Sequence, residues 1–153
     1  MLSLSMYETR LQDLQKNKIM LLEKIISISG KPGLFKLIGQ IKSGFVLETL
    51  DDKKIKSTVN LSTTKMATLE DITIYGEEEE IRLIDVFEAI KEKGGQTPDG
   101  KDGQVLREFF REVAPGHDES RVYSSDIKKI IAWYNIIKEL PLFEEEAPEP
   151  IQQ

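Results

Sequence analysis

The sequence contains no cysteine and a single histidine, His117, among its 153 residues. Without cysteine, a disulfide framework, a thiolate nucleophile and a cysteine-ligated zinc or iron–sulfur site are all excluded. One histidine likewise excludes any cluster of two or more histidine ligands. We therefore predict no metal and no cofactor, and we assign no catalytic, cofactor-binding or metal-ligating residue.

Long hydrophobic runs are also missing. No stretch approaches the roughly 18 apolar residues that a membrane span needs. Residues 1–10 lack the basic region and the continuous apolar segment of a secretory signal. The composition, with 39% hydrophobic and 31% charged residues, is typical of a globular protein. We therefore expect a cytoplasmic protein with no membrane association.

The net charge of −6 is divided unevenly along the chain. Residues 20–76 carry eight lysines and six acids, whereas residues 77–153 carry ten basic and nineteen acidic groups. A slightly basic front is thus joined to a strongly acidic rear, which suggests two functional surfaces. The alternative is that both are ordinary solvated surfaces, because net charge governs solubility rather than fold.

The first half of the chain has the pattern of short β-strands. Apolar and β-branched residues occupy the segments 34–41, 45–50, 55–59 and 72–75, which turn-forming residues separate. Residues 25–28 fit either a strand or one helical turn. Such strands suit a small SH3-like five-stranded β-barrel, in which closure removes exposed edges, and we assign the barrel to residues 20–76.

The second half has helical periodicity, so the predicted fold class is α+β, a barrel followed by a three-helix C-terminal region. Apolar residues recur at spacings of three and four in three sets, which are Leu83, Val86, Phe87 and Ile90; Leu106, Phe109, Phe110 and Val113; and Ile127, Ile130, Ile131, Tyr134 and Ile137. We divide this half into an acidic turn and connecting helix at 77–95, a flexible boundary loop at 96–103 and a helical domain at 104–140.

Both ends of the chain form separate segments in this interpretation. Residues 1–19 form an N-terminal extension, which is either a short amphipathic helix or the result of a mis-assigned start, with Met20 as the true initiator. Residues 141–153 are acidic and rich in proline, so we expect a disordered, solvated tail.

Three short motifs resemble functional sites but fail on inspection. Residues 30–33, Gly-Lys-Pro-Gly, lack the spacing of a phosphate-binding loop and predict a turn. Residues 99–103 resemble a calcium loop, but Phe109 falls where a bidentate glutamate is required. His117 precedes two acids, yet adjacent loop residues rarely converge on one atom, so we expect an exposed loop histidine.

The third helix has more apolar surface than one stripe. Its additional members, Trp133, Ile136 and Leu140, widen the face that includes Tyr134. So wide a surface on a short helix requires cover from the rest of the protein or from another molecule. Trp133, Tyr134, Ile136 and Leu140 are therefore the candidate partner surface.

The predicted barrel offers a second surface. Its lysines, together with Phe35, Phe45 and Tyr75, resemble the basic and aromatic surfaces with which small barrels bind single-stranded nucleic acid. The candidate nucleic-acid surface consists of Lys31, Lys36, Lys42, Lys53, Lys54 and Lys56. The alternative is that the aromatic residues belong to the core, and the small net positive charge is weak support for nucleic-acid binding.

Three segments carry a resemblance to a known family. They are IISISGKPGLFKL at 25–37, LEDITIY at 69–75, and RVYSSDIKK at 121–129 leading into WYN at 133–135. With them, residues 20 to about 143 resemble the small two-part proteins with domains of unknown function that are common in Bacteroidetes. The resemblance implies an N-terminal SH3-like barrel and a helical C-terminal region, and it implies no activity. The resemblance also implies a start close to Met20, so residues 1–19 depart from the family pattern.

Three functions follow from these observations, in decreasing order of support. The first is a non-enzymatic cytoplasmic interaction module that binds a macromolecular partner, with a protein as the expected partner. The second is a small barrel associated with single-stranded RNA or DNA. The third, a remote alternative, is an enzyme that depends on carboxylates or on His117. The sequence leaves the oligomeric state open.

Overall fold

The computed structural model describes residues 22, 24–51 and 53–140. The predicted extension at 1–19, the question of Met20 and the predicted tail at 141–153 lie outside this part of the chain. The described part has the predicted α+β class, with a five-stranded antiparallel sheet, a two-stranded hairpin and three helices.

The sheet is built mainly from consecutive antiparallel strands. Its members are β1 (Ile25–Ile28), β2 (Lys31–Ile41), β3 (Gly44–Thr49), β4 (Lys56–Asn60) and β5 (Met66–Thr68), in the spatial order β4-β3-β2-β1-β5. The chain thus returns after β4 to pair β5 with the other side of β1. No pairing joins β4 to β5 in the described residues, so the sheet is open and the predicted closure into a barrel is not confirmed.

The structure decides one strand assignment that the sequence left open and corrects another. Residues 25–28 form a strand rather than a helical turn. The fifth strand is Met66–Thr68, whereas residues 73 and 74 belong to β6 (Thr73–Ile74), which pairs with β7 (Ile81–Arg82) in a separate hairpin. A 3₁₀ turn at Leu69–Asp71 separates the two, so the prediction of 72–75 as a strand of the sheet was wrong. The sequence did not reveal β5, because three residues are too few to show an alternation of apolar and polar side chains. The strand is defined by its pairing with β1.

The three predicted helices are confirmed. They are α1 (Leu83–Glu92), α2 (Gly103–Val113) and α3 (Ser124–Ile137). At the start of α2, Asp102 Oδ1 accepts a hydrogen bond of 2.9 Å from the Gln104 backbone N–H, and at the start of α3, Asp126 Oδ2 does the same for the Tyr123 N–H at 2.9 Å. No helix within the described residues has the length and apolarity needed to cross a bilayer.

Buried apolar residues form two clusters of unequal size. The small cluster lies on one side of the sheet and consists of Ile26, Ile28, Leu47 and Val59. The large cluster includes Ile25 and Leu34 of the sheet together with residues of all three helices, among them Phe87 and Phe110. The large cluster contains residues from before and after the loop at 96–103. The domain boundary proposed at this loop stays a prediction.

Candidate binding site

The third helix packs one face into the core and leaves a second face at the surface. Its buried face consists of Ile127, Ile130, Ile131, Tyr134 and Ile137. Trp133, Ile136 and Leu140 are half-buried and pack against the edge of the large cluster. The predicted wide apolar surface is therefore covered in part by the protein itself, and Trp133 is its aromatic member near the surface.

Tyr134, which the sequence placed on the partner surface, is a core residue. Only 2% of it is exposed, and its ring centroid lies 6.0 Å from that of Phe87. Burial raises the pKa of the Tyr134 phenol, and the nearby carboxylate of Glu88 raises it further. The assignment of Tyr134 to a docking surface is corrected, because a side chain that closes the interface between α1 and α3 cannot reach a partner.

An open cleft, here called the lysine cleft, separates α3 from the β1–β2 hairpin and from β5. Its volume is about 720 Å³. Its lining comes from three distant segments, with Ser27–Gly33 from the hairpin, Lys65–Ala67 from β5 and its preceding loop, and Ser125, Lys128, Lys129, Ala132 and Trp133 from α3. The described lining residues thus include four lysines, three serines and one tryptophan, but no carboxylate.

The backbone of the β1–β2 hairpin shapes one wall of the lysine cleft. Gly30 has φ +85° and Gly33 has φ +84°, values that side chains other than hydrogen disfavour. The Ser29 N–H donates to the Lys65 carbonyl oxygen at 3.0 Å, which joins the hairpin to the segment before β5. The turn itself lies at Ser29 and Gly30, whereas residues 31–33, which the sequence predicted as part of the turn, belong to β2. These residues line the cleft without the spacing of a phosphate-binding loop.

The helix wall is fixed by the loop that precedes α2. A Cβ atom added to Gly100 would lie 3.2 Å from Lys128 Cε and 3.3 Å from Lys128 Cγ. The aliphatic stem of Lys128 therefore packs directly on the Gly100 backbone. This contact orders one of the four lysines.

None of the four cleft lysines forms an ion pair with a described residue. Four lysines from three segments therefore line one open volume, with no acidic side chain among its described lining residues. Because like charges repel, this arrangement favours an anion between them.

A smaller cleft, here called the apolar cleft, adjoins the lysine cleft across Trp133 and Lys129. Its volume is about 220 Å³, and its lining consists of Ile72, Thr73, Ile74, Tyr75, Arg121, Val122, Asp126, Lys129, Ile130 and Trp133. Trp133 and Lys129 line both clefts. One continuous surface therefore offers a basic region, an indole ring and an apolar region in that order.

Tyr75 and Arg121 form the outer wall of the apolar cleft. The Arg121 guanidinium carbon lies 4.4 Å from the centroid of the Tyr75 ring, and its Nε donates to Asp118 Oδ2 at 2.8 Å. Hydrogen bonds from Ser120 and Arg121 lower the pKa of Asp118 to about 2. The charge of Arg121 is thus shared with an acid, so the positive character of the surface comes mainly from the lysines.

The lysines predicted from sequence do not converge. All six are exposed, but Lys42 lies in the β2–β3 turn, at the opposite end of the sheet from Lys53 and Lys54 in the β3–β4 turn. Lys36 and Lys56 both pair with Glu48, which places an acid between them. Of the predicted set, only Lys31 lines the lysine cleft.

Lys65, Lys128 and Lys129 were missed as site residues. A signal for two of them was present, because residues 125, 128, 129, 132 and 133 share one face of a helix at spacings of three and four. That face is opposite in character to the apolar stripe, and only the sheet beside it turns it into a cleft.

His117 is buried, with 3% exposure, so the expectation of an exposed loop histidine was wrong. Its Nδ1 lies 2.8 Å from the Ala114 carbonyl oxygen and must carry the proton, since a carbonyl only accepts. Its ring packs edge-on against Phe110 at 4.7 Å. His117 thus packs between α2 and the loop that follows it, and its buried Nε2 has no hydrogen-bond partner among the described residues. Within the described residues, no group of three or more acids or histidines is arranged to hold a metal ion.

Comparison with known proteins agrees with this architecture. Residues 22–69 match the model of a domain of unknown function, DUF5606, and residues 72–137 match that of a second one, DUF6852. The chain thus has an α+β fold in two parts, each of which matches the model of a domain of unknown function. It is also 40% identical to a protein from Bacteroides vulgatus whose solution NMR structure has a TM-score of 0.60 to it, over 76% of this chain and 84% of that one. The chain belongs to the family of that protein. No curated protein matches it.

Proposed function

We propose that the protein is a non-enzymatic cytoplasmic interaction module whose macromolecular partner docks in the lysine cleft and on Trp133. This proposal rests on one observation. A cleft lined by four lysines adjoins an apolar cleft, and the half-buried Trp133 lines both. Aromatic residues beside charged groups are typical anchors of binding surfaces.

Two features of the cleft support binding rather than catalysis. Its described lining residues include no carboxylate or histidine that could act as a general base. Ser125 and Lys128 have the spacing of a serine–lysine pair, but no hydrogen bond between these two described side chains activates the serine. His117, the residue of the remote enzymatic alternative, lies in the core with its Nδ1 engaged.

Site-specific photocrosslinking tests where the partner docks. A photoreactive side chain placed at Ala132 or at Ala67, both exposed and on opposite walls of the cleft, should capture the same macromolecule in the cells that express the protein. The same group at Ser57, which is exposed on β4 and outside the cleft, is the matched control. Equal capture from Ser57, or different products from the two cleft positions, would contradict the proposal.

We retain the SH3-like interpretation of the sheet as a further part of the proposal. The position of β1 between β2 and β5 supports it, as do the register shifts between Ile26 and Ile28 and between Leu37 and Gly39, because bulges bend a sheet toward closure. Amide hydrogen exchange provides the test. In a closed barrel the β4 amides that do not pair with β3 should be protected, and in an open sheet they should exchange rapidly.

A further inference from the structure

We propose that the lysine cleft binds the phosphodiester backbone of single-stranded nucleic acid, with a base stacked on Trp133. This inference rests on the proposed function and names the class of partner. It departs from the sequence-based nucleic-acid surface, because three of the four lysines involved lie outside that set.

Charge is the first argument. Lys31, Lys65, Lys128 and Lys129 line one cleft of about 720 Å³, and no acid is among its described lining residues. Lysines act as point charges that contact phosphate oxygens without the planar pairing that arginine provides. Ser27, Ser29 and Ser125 line the same cleft and add neutral hydroxyl donors of the kind that contact phosphates.

Composition is the second argument, and it separates nucleic acid from protein as the partner. Lysine, serine and alanine are depleted from protein–protein interfaces, whereas arginine is enriched. The described lining residues include four lysines, three serines and two alanines but no arginine, and only Trp133 and Met66 among them are of types that protein interfaces favour. An acidic protein segment is therefore the less favoured occupant, and it becomes an outcome of the test.

The position of Trp133 is the third argument. Trp133 lines both clefts, so a base stacked on its ring would lie beside the lysines that would hold the neighbouring phosphates. Stacking on an aromatic ring combined with a basic groove is the common mode of binding single strands, and it tolerates any sequence. Duplex bases are already stacked on each other, so the same ring discriminates against double-stranded DNA.

The chain offers a direct probe because Trp133 is its only tryptophan. Titration with a 12-nucleotide oligo-dT or oligo-U should quench its fluorescence, whereas a duplex of the same length should not. Affinity is measured separately by the anisotropy of a fluorescein-labelled oligonucleotide. With four phosphates neutralised, binding should weaken about 50-fold between about 50 mM and about 200 mM salt.

Matched charge variants test the location. The double variants K31Q/K65Q, on the sheet side, and K128Q/K129Q, on the helix side, should each reduce the slope of log affinity against log salt by about 1.4. The control K53Q/K56Q removes the same charge from exposed lysines outside the cleft and should leave the slope unchanged. Trp133→Ala should weaken binding about tenfold and Trp133→Phe by less. Circular dichroism verifies that each variant is folded.

Three results would overturn the inference. The first is no binding of either oligonucleotide at low salt, and the second is equal loss in K53Q/K56Q, which would return the site to the sheet surface. The third is binding of a 12-residue oligoglutamate but not of oligonucleotides, which would make the partner an acidic protein. In that third case the proposed docking at the cleft would still hold, and the crosslinking experiment decides it independently.

Discussion

The two hydrophobic clusters of this protein differ in size and in what they depend on. The sheet cluster has four buried residues, whereas the large cluster has twenty and includes Ile25 and Leu34 from the sheet. The sheet thus buries little apolar surface of its own and relies on the helices to cover its other face. Since burial of apolar area is the main source of stability, the helices should support the sheet rather than the reverse.

The proposed binding surface lies where these two regions meet. The hairpin wall of the lysine cleft follows directly from β1, and the helix wall belongs to α3, which packs on the same strands from the side of the large cluster. Changes in either core should therefore alter the width of the cleft, and changes in the cleft itself should alter the cores little.

The largest effect is expected in the shared cluster. Phe87→Ala removes a fully buried ring and should lower the free energy of unfolding by about 3–5 kcal/mol. Chemical denaturation measures this loss. If the sheet depends on the helices, the β2 and β3 amides should lose protection from hydrogen exchange by the same free energy. Unchanged protection of the sheet would show that it is stable by itself.

A smaller effect is expected in the sheet cluster. Leu47 is fully buried, but it packs in a cluster of only four buried residues, and its neighbours there can move to fill the space. Leu47→Ala should therefore cost about 2 kcal/mol, at the lower end for such a change. Comparison of its denaturation curve with that of Phe87→Ala gives the ranking of the two clusters, and a larger loss for Leu47 would reverse it.

Trp133 lies between the two regions, and its substitution should affect the proposed binding more than the stability of the fold. Trp133 is half-buried, so Trp133→Ala should lower the free energy of unfolding by only about 1 kcal/mol, which is within the range for partly exposed positions. Ile130→Ala, one turn away on the buried face of α3, is the matched control and should cost more. A Trp133 variant that unfolds would assign this residue to the core instead of the surface.

The smallest effect concerns acid. The pKa of Asp118 lies at about 2 in the folded protein, below the usual value of 3.8, because Ser120 and Arg121 donate hydrogen bonds to the carboxylate. Its contribution to stability is complete above 3.8 and is lost as the pH falls toward 2. An NMR titration of the Asp118 carboxyl carbon should show this midpoint. In Arg121→Gln the midpoint should rise, and an unshifted Asp118 in the native protein would contradict the role of these bonds.

Much of the fold could be predicted because its signals are local. The spacing of the apolar residues in α2 predicts this helix without reference to any other segment; they are Leu106, Phe109, Phe110 and Val113. Gly94 and Gly95 were expected to stop α1, and both follow its end with positive φ. Strand β5 was not predicted, since its three residues acquire their conformation by pairing with β1.

The candidate site was predicted only in part. Trp133 and Lys31 were recognised from the sequence, but they were placed on two different surfaces. Tyr134 was grouped with Trp133 because neighbours on a wide apolar face cannot be divided into buried and exposed members from one helix alone. The same limit affected His117, whose burial depends on its contact with Phe110 and on the loop that follows α2.

The sequence by itself determined the helices, most of the strands, the absence of cysteine chemistry and the uneven charge of the two halves, because these depend on composition and on spacings within one segment. Only the tertiary structure decided that Lys31, Lys65, Lys128 and Lys129 surround one cleft beside Trp133. These residues are up to 98 positions apart between Lys31 and Lys129. They come together because α3 packs on the sheet, and no local sequence pattern indicates such a long-range contact.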